Sequence, residues 1–235
     1  MTRSEFAQTL ESTLLSPAAS EGQVEQLCRE AAEAGFAGVC VAPCRAGDAL
    51  RFLRGTPVRV VSVAGFPLGS QTPRTKVAEV AELFEMGVQE VDLVMNVGWF
   101  LEGRLSPVSS EIRDARRAAG DGVLKVILET GLLEPERIRE AGALALGAGA
   151  DYLKTSTGFG PAGARIADVH LLRQVAGRRC GVKAAGGIRT FEQAEALLAA
   201  GADRLGTSAA GALWKAAARR WPEQAGPPPV TRPGR

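Results

Sequence analysis

The sequence predicts an α/β protein, a closed (β/α)8 barrel of the TIM type. Short apolar runs alternate with longer amphipathic or alanine-rich runs along nearly the whole chain. Eight such pairs fit within 235 residues, and a single domain of this length is common for this fold. An open doubly wound sheet is the alternative, but no Gly-x-Gly-x-x-Gly motif follows the first predicted strand.

The predicted strands are short apolar runs, as expected for a parallel sheet that is covered on both faces. The first of them is brief and brings the count to eight. In chain order they are Ser12–Leu14, Gly38–Ala42, Val58–Ala64, Glu90–Val97, Leu124–Glu129, Asp151–Thr155, Gly181–Ala185 and Arg204–Thr207.

The predicted helices lie between the strands, and two of them carry a start signal. Thr72 precedes a proline suited to the first helical position, and Thr190 with Gln193 fits a capping box. In chain order the helices are Gly22–Ala34, Asp48–Arg54, Pro73–Met86, Pro107–Ala119, Pro135–Gly147, Ile166–Ala176, Phe191–Ala199 and Ala209–Arg220.

Composition predicts one domain over residues 1–221 and a flexible tail over residues 222–235, which carries five prolines. The net charge is +2 and the basic residues are scattered, so no nucleic-acid partner is expected. The chain start lacks a signal-peptide core and no apolar run would span a bilayer, which predicts a cytoplasmic protein without a membrane partner. A homodimer is the oligomer to consider.

Metal binding and disulfide formation are both disfavoured by the sequence. The four cysteines form no Cys-x-x-Cys pair, and the only histidine, His170, is far from Cys40 and Cys44 along the chain. No zinc site is therefore expected, and a reducing compartment argues against disulfides.

Lysine is scarce, and its placement is the main chemical signal. Five lysines stand among 28 basic residues, and Lys125, Lys154 and Lys183 fall within predicted strands. Arginine stays protonated, whereas a desolvated lysine crowded by like charge can lose its proton and become a nucleophile. Lowering a lysine pKa from about 10.4 to roughly 7 raises the amine fraction about a thousandfold at neutral pH. Lys76 and Lys215 lie on predicted helices, outside the expected chemistry.

The two-residue period of a strand places polar side chains on shared faces. Asp92 and Asn96 share one side of the fourth predicted strand, and Lys125 and Glu129 share one side of the fifth. If these faces point inward, three lysines and at least two carboxylates meet at the barrel mouth, where active sites of this fold lie. The alternative is a purely structural ion network, including a Lys125–Glu129 pair, but buried ion pairs stabilise less than apolar packing.

Two glycine-containing loops predict a phosphate site. Residues 184–190 and 206–211 each run from a predicted strand into a helix start. Backbone N–H groups and the helix dipole favour an anion there, and these loops follow strands seven and eight, the usual phosphate position of the fold. Residues 155–158 are expected to close the other side of the site.

Seven sequence blocks match a known family in their order along the chain. They are Thr13–Leu15, Val39–Val41, Gly65–Gly69, Glu90–Val94, Leu124–Thr130, Lys154–Phe159 and Val182–Thr190. Between about Glu11 and Gly211 the chain resembles the deoxyribose-phosphate aldolases, which are class I, Schiff-base aldolases.

The resemblance implies reversible cleavage of the sugar phosphate 2-deoxy-D-ribose 5-phosphate to D-glyceraldehyde 3-phosphate and acetaldehyde, without a metal or other cofactor. It assigns the imine to Lys154. Lys183 would lower the pKa of Lys154 and transfer protons, with Asp92 as proton donor and acceptor. The substrate and its phosphate would be held by Thr157, Gly158, Gly186, Gly187, Arg189, Gly206 and Ser208.

The chain departs from the family's pattern in three ways. Glu11-Ser12 stands where many members have Asp-His, Ala209 replaces a second serine of the last phosphate loop, and Tyr152 is the only tyrosine, so the tail lacks one. These changes bear on rate and phosphate affinity. The alternative function is a barrel that binds a sugar phosphate but catalyses another reaction, or none. A nucleic-acid or scaffold protein is a third class.

Overall fold

The computed structural model describes residues 1–221 and has eight parallel strands that close into a barrel in the order of the chain. The predicted (β/α)8 architecture is therefore confirmed. The predicted tail, residues 222–235, lies outside the described residues. The strands are β1 Leu10–Leu14, β2 Gly38–Val41, β3 Arg59–Ala64, β4 Glu90–Val94, β5 Val123–Ile127, β6 Tyr152–Lys154, β7 Gly181–Ala185 and β8 Arg204–Thr207.

Helices surround the barrel, and the expected caps form. Thr190 and Gln193 make the predicted capping box, and Thr72 accepts a hydrogen bond from the backbone N–H of Thr75. The helices are α1 Arg3–Ala7, α2 Glu21–Ala34, α3 Ala46–Phe52, α4 Pro73–Glu85, α5 Val97–Leu101, α6 Leu105–Ala118, α7 Pro135–Gly147, α8 Ile166–Ala176, α9 Phe191–Ala199 and α10 Ala210–Arg220; short 3-10 turns cover Pro43–Arg45 and Thr130–Leu132.

Strand boundaries mostly agree with the prediction to within one or two residues, but two strands end clearly earlier than predicted. The fourth strand stops at Val94 because Asn96 caps the short helix α5, its side chain accepting from the backbone N–H of Trp99 at 3.0 Å. The fifth strand stops at Ile127, and Glu129 adopts a left-handed conformation with φ of 44°. Apolar runs alone do not reveal where such a turn begins. Helices α1 and α5 were also not predicted.

The two faces of the barrel wall have different chemistry. Outward-facing residues such as Val91 and Leu93 pack with the helices in one large apolar core. The inner face carries charged side chains, because the register sets Asp92 beside Lys125 and Lys154 beside Lys183 on adjacent strands. Within residues 1–221, none of the helices is long and apolar enough to cross a bilayer.

Candidate active site

Three lysines converge on one carboxylate inside the barrel. The Nζ atoms of Lys154 and Lys183 lie 2.7 and 2.6 Å from Oδ2 of Asp92, and Nζ of Lys125 lies 3.1 Å from Oδ1. All four side chains are buried, and Lys154 is 3% exposed. The structure thus brings together Lys154, Lys183 and Asp92, the three residues predicted from the sequence to be catalytic.

Two further carboxylates balance the charge of this cluster. Glu11 pairs with Lys183 and lies 3.5 Å from Lys125, while Glu90 lies 2.5 Å from Lys125. The altered N-terminal motif therefore keeps an acid against Lys183. Glu90 was missed as a member of the cluster, although its position two residues before Asp92 puts both on one face of β4.

The predicted pair between Lys125 and Glu129 is wrong. Lys125 bonds instead to carboxylates of β1 and β4, and Glu129 lies beyond the end of β5 with its carboxylate on Thr157. The strand period does not extend to Glu129, because its left-handed backbone turns the side chain away from the lysines.

The pKa of Lys154 shifts in the opposite direction to the pKa values of Lys125 and Lys183. Burial lowers the pKa of Lys154 and the positive charge of Lys183 lowers it further, against the attraction of Asp92. For Lys183 burial acts in the same direction, but Asp92 and Glu11 outweigh it and raise the pKa. Lys125 is also raised in pKa, since Asp92, Glu11 and Glu90 outweigh its burial. The cluster therefore singles out Lys154 as the readiest source of a neutral amine.

Asp92 has the opposite environment. Burial alone would raise its pKa, but Lys125, Lys154 and Lys183 together hold the pKa of this carboxyl well below its usual range. Cys40, close to the same charges, has its pKa raised to about 11 by burial, as expected of an inert structural thiol.

A cavity of about 470 Å³ opens directly above Lys154. All of the residues predicted to bind the substrate and its phosphate line this cavity, as do residues of the loop after β1. The predicted residues are Thr157, Gly158, Gly186, Gly187, Arg189, Gly206 and Ser208. Gly158, Gly186 and Gly187 have positive φ values of 87°, 92° and 73°, which only glycine adopts without strain. Gly206 also makes room for Lys183, since a Cβ there would lie 3.1 Å from Cε of that lysine.

Ala209, in the loop after β8, uses its backbone N–H within that loop. The backbone N–H of Ala209 does not point freely at the cavity but donates to Oγ1 of Thr207 at 2.9 Å. The missing hydroxyl at this position is therefore not replaced by that N–H group. Among residues 1–221, no group of His, Cys, Asp or Glu side chains is arranged to hold a metal ion.

A (β/α)8 barrel with a buried lysine of lowered pKa beneath a cavity is the arrangement expected of an enzyme that works through a lysine amine. A family model described as DeoC/LacD family aldolase matches residues 11–216. The chain belongs to this aldolase family.

Named relatives agree with this assignment. Deoxyribose-phosphate aldolase of Thermoanaerobacter sp. (strain X514) is 48% identical over 207 residues, covering 87% of this chain and 93% of the relative. The aldolase of the same name from Streptococcus mutans is 45% identical over 202 residues, with coverages of 86% and 92%. The solved deoxyribose phosphate aldolase of Aeropyrum pernix, described as a unique tetramer, superposes with a TM-score of 0.84 at 33% identity, covering 92% of each chain.

Proposed function

We propose that this aldolase reversibly cleaves 2-deoxy-D-ribose 5-phosphate to D-glyceraldehyde 3-phosphate and acetaldehyde through an imine on Lys154. One observation carries the assignment of the nucleophile. Of the three clustered lysines, Lys154 alone lines the cavity and alone has a lowered pKa. Access to substrate and a population of neutral amine are the two properties that a Schiff-base lysine needs.

The covalent steps follow from that nucleophile. The amine of Lys154 adds to the C1 aldehyde, and loss of water gives a protonated imine. When the C2–C3 bond breaks, its electron pair moves into the imine and forms an enamine, while the C3 hydroxyl gives up its proton and becomes the new aldehyde. Protonation of the enamine at C2 and hydrolysis then release acetaldehyde and restore Lys154.

Asp92 and Lys183 are assigned to the proton transfers. One carboxylate oxygen of Asp92 touches both Lys154 and Lys183, so a proton has a short path among the three groups. Glu11, on the far side of Lys183, keeps that ammonium oriented. General acid–base catalysis by groups within hydrogen-bond reach typically contributes about 10²–10⁴ in rate.

The phosphate end of the substrate is assigned to the glycine loops. Gly158, Gly186 and Gly187 bring bare backbone to the cavity surface, and Arg189 adds a cation at the start of α9. Binding the phosphate there holds the reacting carbons over Lys154 and lowers the entropic part of the barrier.

Replacing Lys154 by leucine tests the proposal. We expect Lys154→Leu to lose glyceraldehyde 3-phosphate release in a coupled assay by about a thousandfold or more, and to lose borohydride-trapped substrate adduct. Lys215→Leu, on the exposed side of α10, is the matched control and keeps both. Wild-type protein that binds the sugar phosphate without cleaving or trapping it would favour the alternative, a binding barrel of other chemistry.

The cellular location and the oligomeric state remain predictions. A cytoplasmic homodimer is expected from the sequence, and a tetramer is known for the Aeropyrum pernix relative. Sedimentation of the purified protein distinguishes the dimer from the tetramer.

A further inference from the structure

Glu129 has an unusual backbone for its residue type. Within residues 1–221 it is the only non-glycine residue with a positive φ, 44°, and it lies two residues beyond the end of β5. Its side chain is 5% exposed. A left-handed conformation is costly for a residue with a Cβ and persists where surrounding contacts enforce it, often near functional sites.

The side-chain contacts of Glu129 involve the loop that follows Lys154. Oε2 of Glu129 accepts hydrogen bonds from Oγ1 of Thr157 at 2.5 Å and from its backbone N–H at 3.3 Å. Oγ1 of Thr157 in turn accepts from the backbone N–H of Phe159 at 3.0 Å. Oε1 of Glu129 is buried with no hydrogen-bond partner within residues 1–221, so the carboxylate is bound to this loop through one oxygen.

Packing on the same carboxylate fixes the next residue of the loop. A Cβ at Gly160 would lie 2.7 Å from Cδ of Glu129 and 2.8 Å from its Oε1, so only glycine fits against this side chain. The ring of Phe159, the residue before Gly160, packs edge-on against Phe66, with ring centroids 5.4 Å apart. Glu129 thus sets the path of the chain from Thr157 to Gly160.

That stretch of chain separates two cavities. Thr157 and Phe159 line both the 470 Å³ cavity above Lys154 and a second cavity of about 260 Å³. Glu129 lies in the wall of the second, whose other residues are almost all apolar: Pro67, Leu68, Val94, Val97, Leu132 and Pro161. The first cavity has glycine loops and an arginine suited to an anion, whereas the second suits a neutral chain.

We propose that Glu129 is a positioning residue that sets the preference of this enzyme for phosphorylated over uncharged substrates. It holds Thr157–Phe159 as the partition between the anion-binding cavity and the apolar chamber. Release of the partition would displace Thr157 and Gly158 from the phosphate side and join the two cavities. The inference rests on the proposed function, since it takes the first cavity as the phosphate site.

The test compares kcat/KM for 2-deoxyribose 5-phosphate and for 2-deoxyribose. Glu129→Ala is expected to lower the ratio of the two values by between about tenfold and a hundredfold, the range caused by a displacement of a binding loop of about 1 Å. The loss should lie mainly in KM for the phosphorylated sugar, because Lys154 itself is not moved. Glu129→Gln keeps an acceptor of the same reach and should stay within about fivefold of wild type.

Glu129→Gly separates the side chain from the backbone. Glycine removes the strain of the left-handed conformation but also removes the carboxylate. Glu129→Gly should therefore lose the preference for the phosphorylated sugar as Glu129→Ala does, but should unfold at a higher temperature than Glu129→Ala. If Glu129→Ala does not fold, Glu129→Gly decides in its place. Glu136→Ala, an exposed carboxylate on α7, is the control and should match wild type.

A binding measurement keeps this test independent of turnover. In a Lys154→Leu background, calorimetry of 2-deoxyribose 5-phosphate binding should give a Kd at least about tenfold higher when Glu129 is replaced by glycine. A wild-type protein that does not cleave 2-deoxyribose 5-phosphate would contradict the proposed function. The comparison of Kd values would still test whether Glu129 holds the partition between the two cavities. An unchanged preference ratio and Kd in Glu129→Gly would overturn the inference.

Discussion

Lys76 and Lys154 are both buried lysines with a lowered pKa, yet they lie in contrasting places. Lys76 lies outside the barrel wall on α4, where its Nζ is 2.7 Å from Oε1 of Glu111 on α6 and 2.9 Å from the carbonyl oxygen of Val94. Lys154 lies inside the barrel under the cavity. Burial is the main cause of the lowered pKa in both.

The difference lies in partners and access. Lys76 forms an ion pair with one carboxylate within residues 1–221, that of Glu111, whose own pKa is raised by burial. Neither side chain of this pair has exposed surface. Lys154 shares Asp92 with two other ammonium groups and faces a cavity. A buried lysine with a lowered pKa is therefore not sufficient for chemistry; a shared counter-ion and an open approach must accompany it.

The outer pair has a structural role. Its ammonium holds the carbonyl at the end of β4, and its aliphatic part packs so closely on Gly65 that a Cβ there would lie 2.8 Å from Cδ of Lys76. The pair thus fixes the loop that follows β3 and the end of the strand that carries Asp92.

Asp92→Asn gives the largest expected effect inside the barrel. It removes the carboxylate shared by three lysines, and we expect kcat to fall by about 10²–10⁴ because proton transfer loses its acceptor. The rate in the coupled assay is normalised to folded protein measured by circular dichroism. A kcat within threefold of wild type, on the order of the scatter of such assays, would remove Asp92 from the mechanism.

Lys76→Met tests the other side of the comparison. It leaves Glu111 buried without its cation, and we expect the free energy of unfolding to drop by about 3–5 kcal/mol. Activity per folded molecule should fall far less than in Asp92→Asn, since Lys76 does not line the cavity. Urea unfolding and the coupled assay measure the two quantities.

The double variant Lys76→Met with Glu111→Leu is the control for that result. Replacing a whole buried ion pair by apolar residues is often neutral, so most of the lost stability should return. A double variant as unstable as Lys76→Met alone would mean that the pair contributes through packing and not through its charges.

The sequence predicts one of these lysines much better than the other. Lys154, Lys183 and Asp92 could be placed together because the strand period and the barrel fold bring inward faces of parallel strands to one point. Lys76 and Glu111 stand on two helices, 35 residues apart, and no local periodicity relates a residue on one helix to its partner on another.

The carboxylates around the three lysines were also harder to predict from the sequence than the lysines themselves. Strand period gives the face of Glu90, but only the barrel's register reveals that it meets Lys125 and not the lysines above it. Glu129 was misplaced because the apolar run before it continues the strand pattern up to the residue where the backbone turns left-handed.

Lys183→Met is expected to change the pH dependence of imine formation. The positive charge of Lys183 helps to lower the pKa of Lys154, so its removal should raise that pKa. Imine formation needs the neutral amine, and the acidic limb of borohydride trapping should therefore move to higher pH. The trapped adduct is measured by mass spectrometry across the pH range, with Lys76→Met as the variant whose limb stays in place.

The smallest expected effect is on acid stability. The folded-state pKa of Asp92 lies well below that of the unfolded chain, about 3.9. Its stabilisation is therefore fully present above about 3.9 and is lost as the pH falls from there through the folded-state pKa. Asp92→Asn has no such proton to take up, and its stability should fall less steeply between pH 5 and pH 2, the approximate window of carboxylate titration. Glu136→Gln, which removes an exposed carboxylate, should keep the wild-type slope. The melting temperature is measured against pH. If it falls equally steeply in Asp92→Asn and in wild type, the three lysines do not hold Asp92 ionised. The contrast with the Lys76–Glu111 pair would then lose its electrostatic basis.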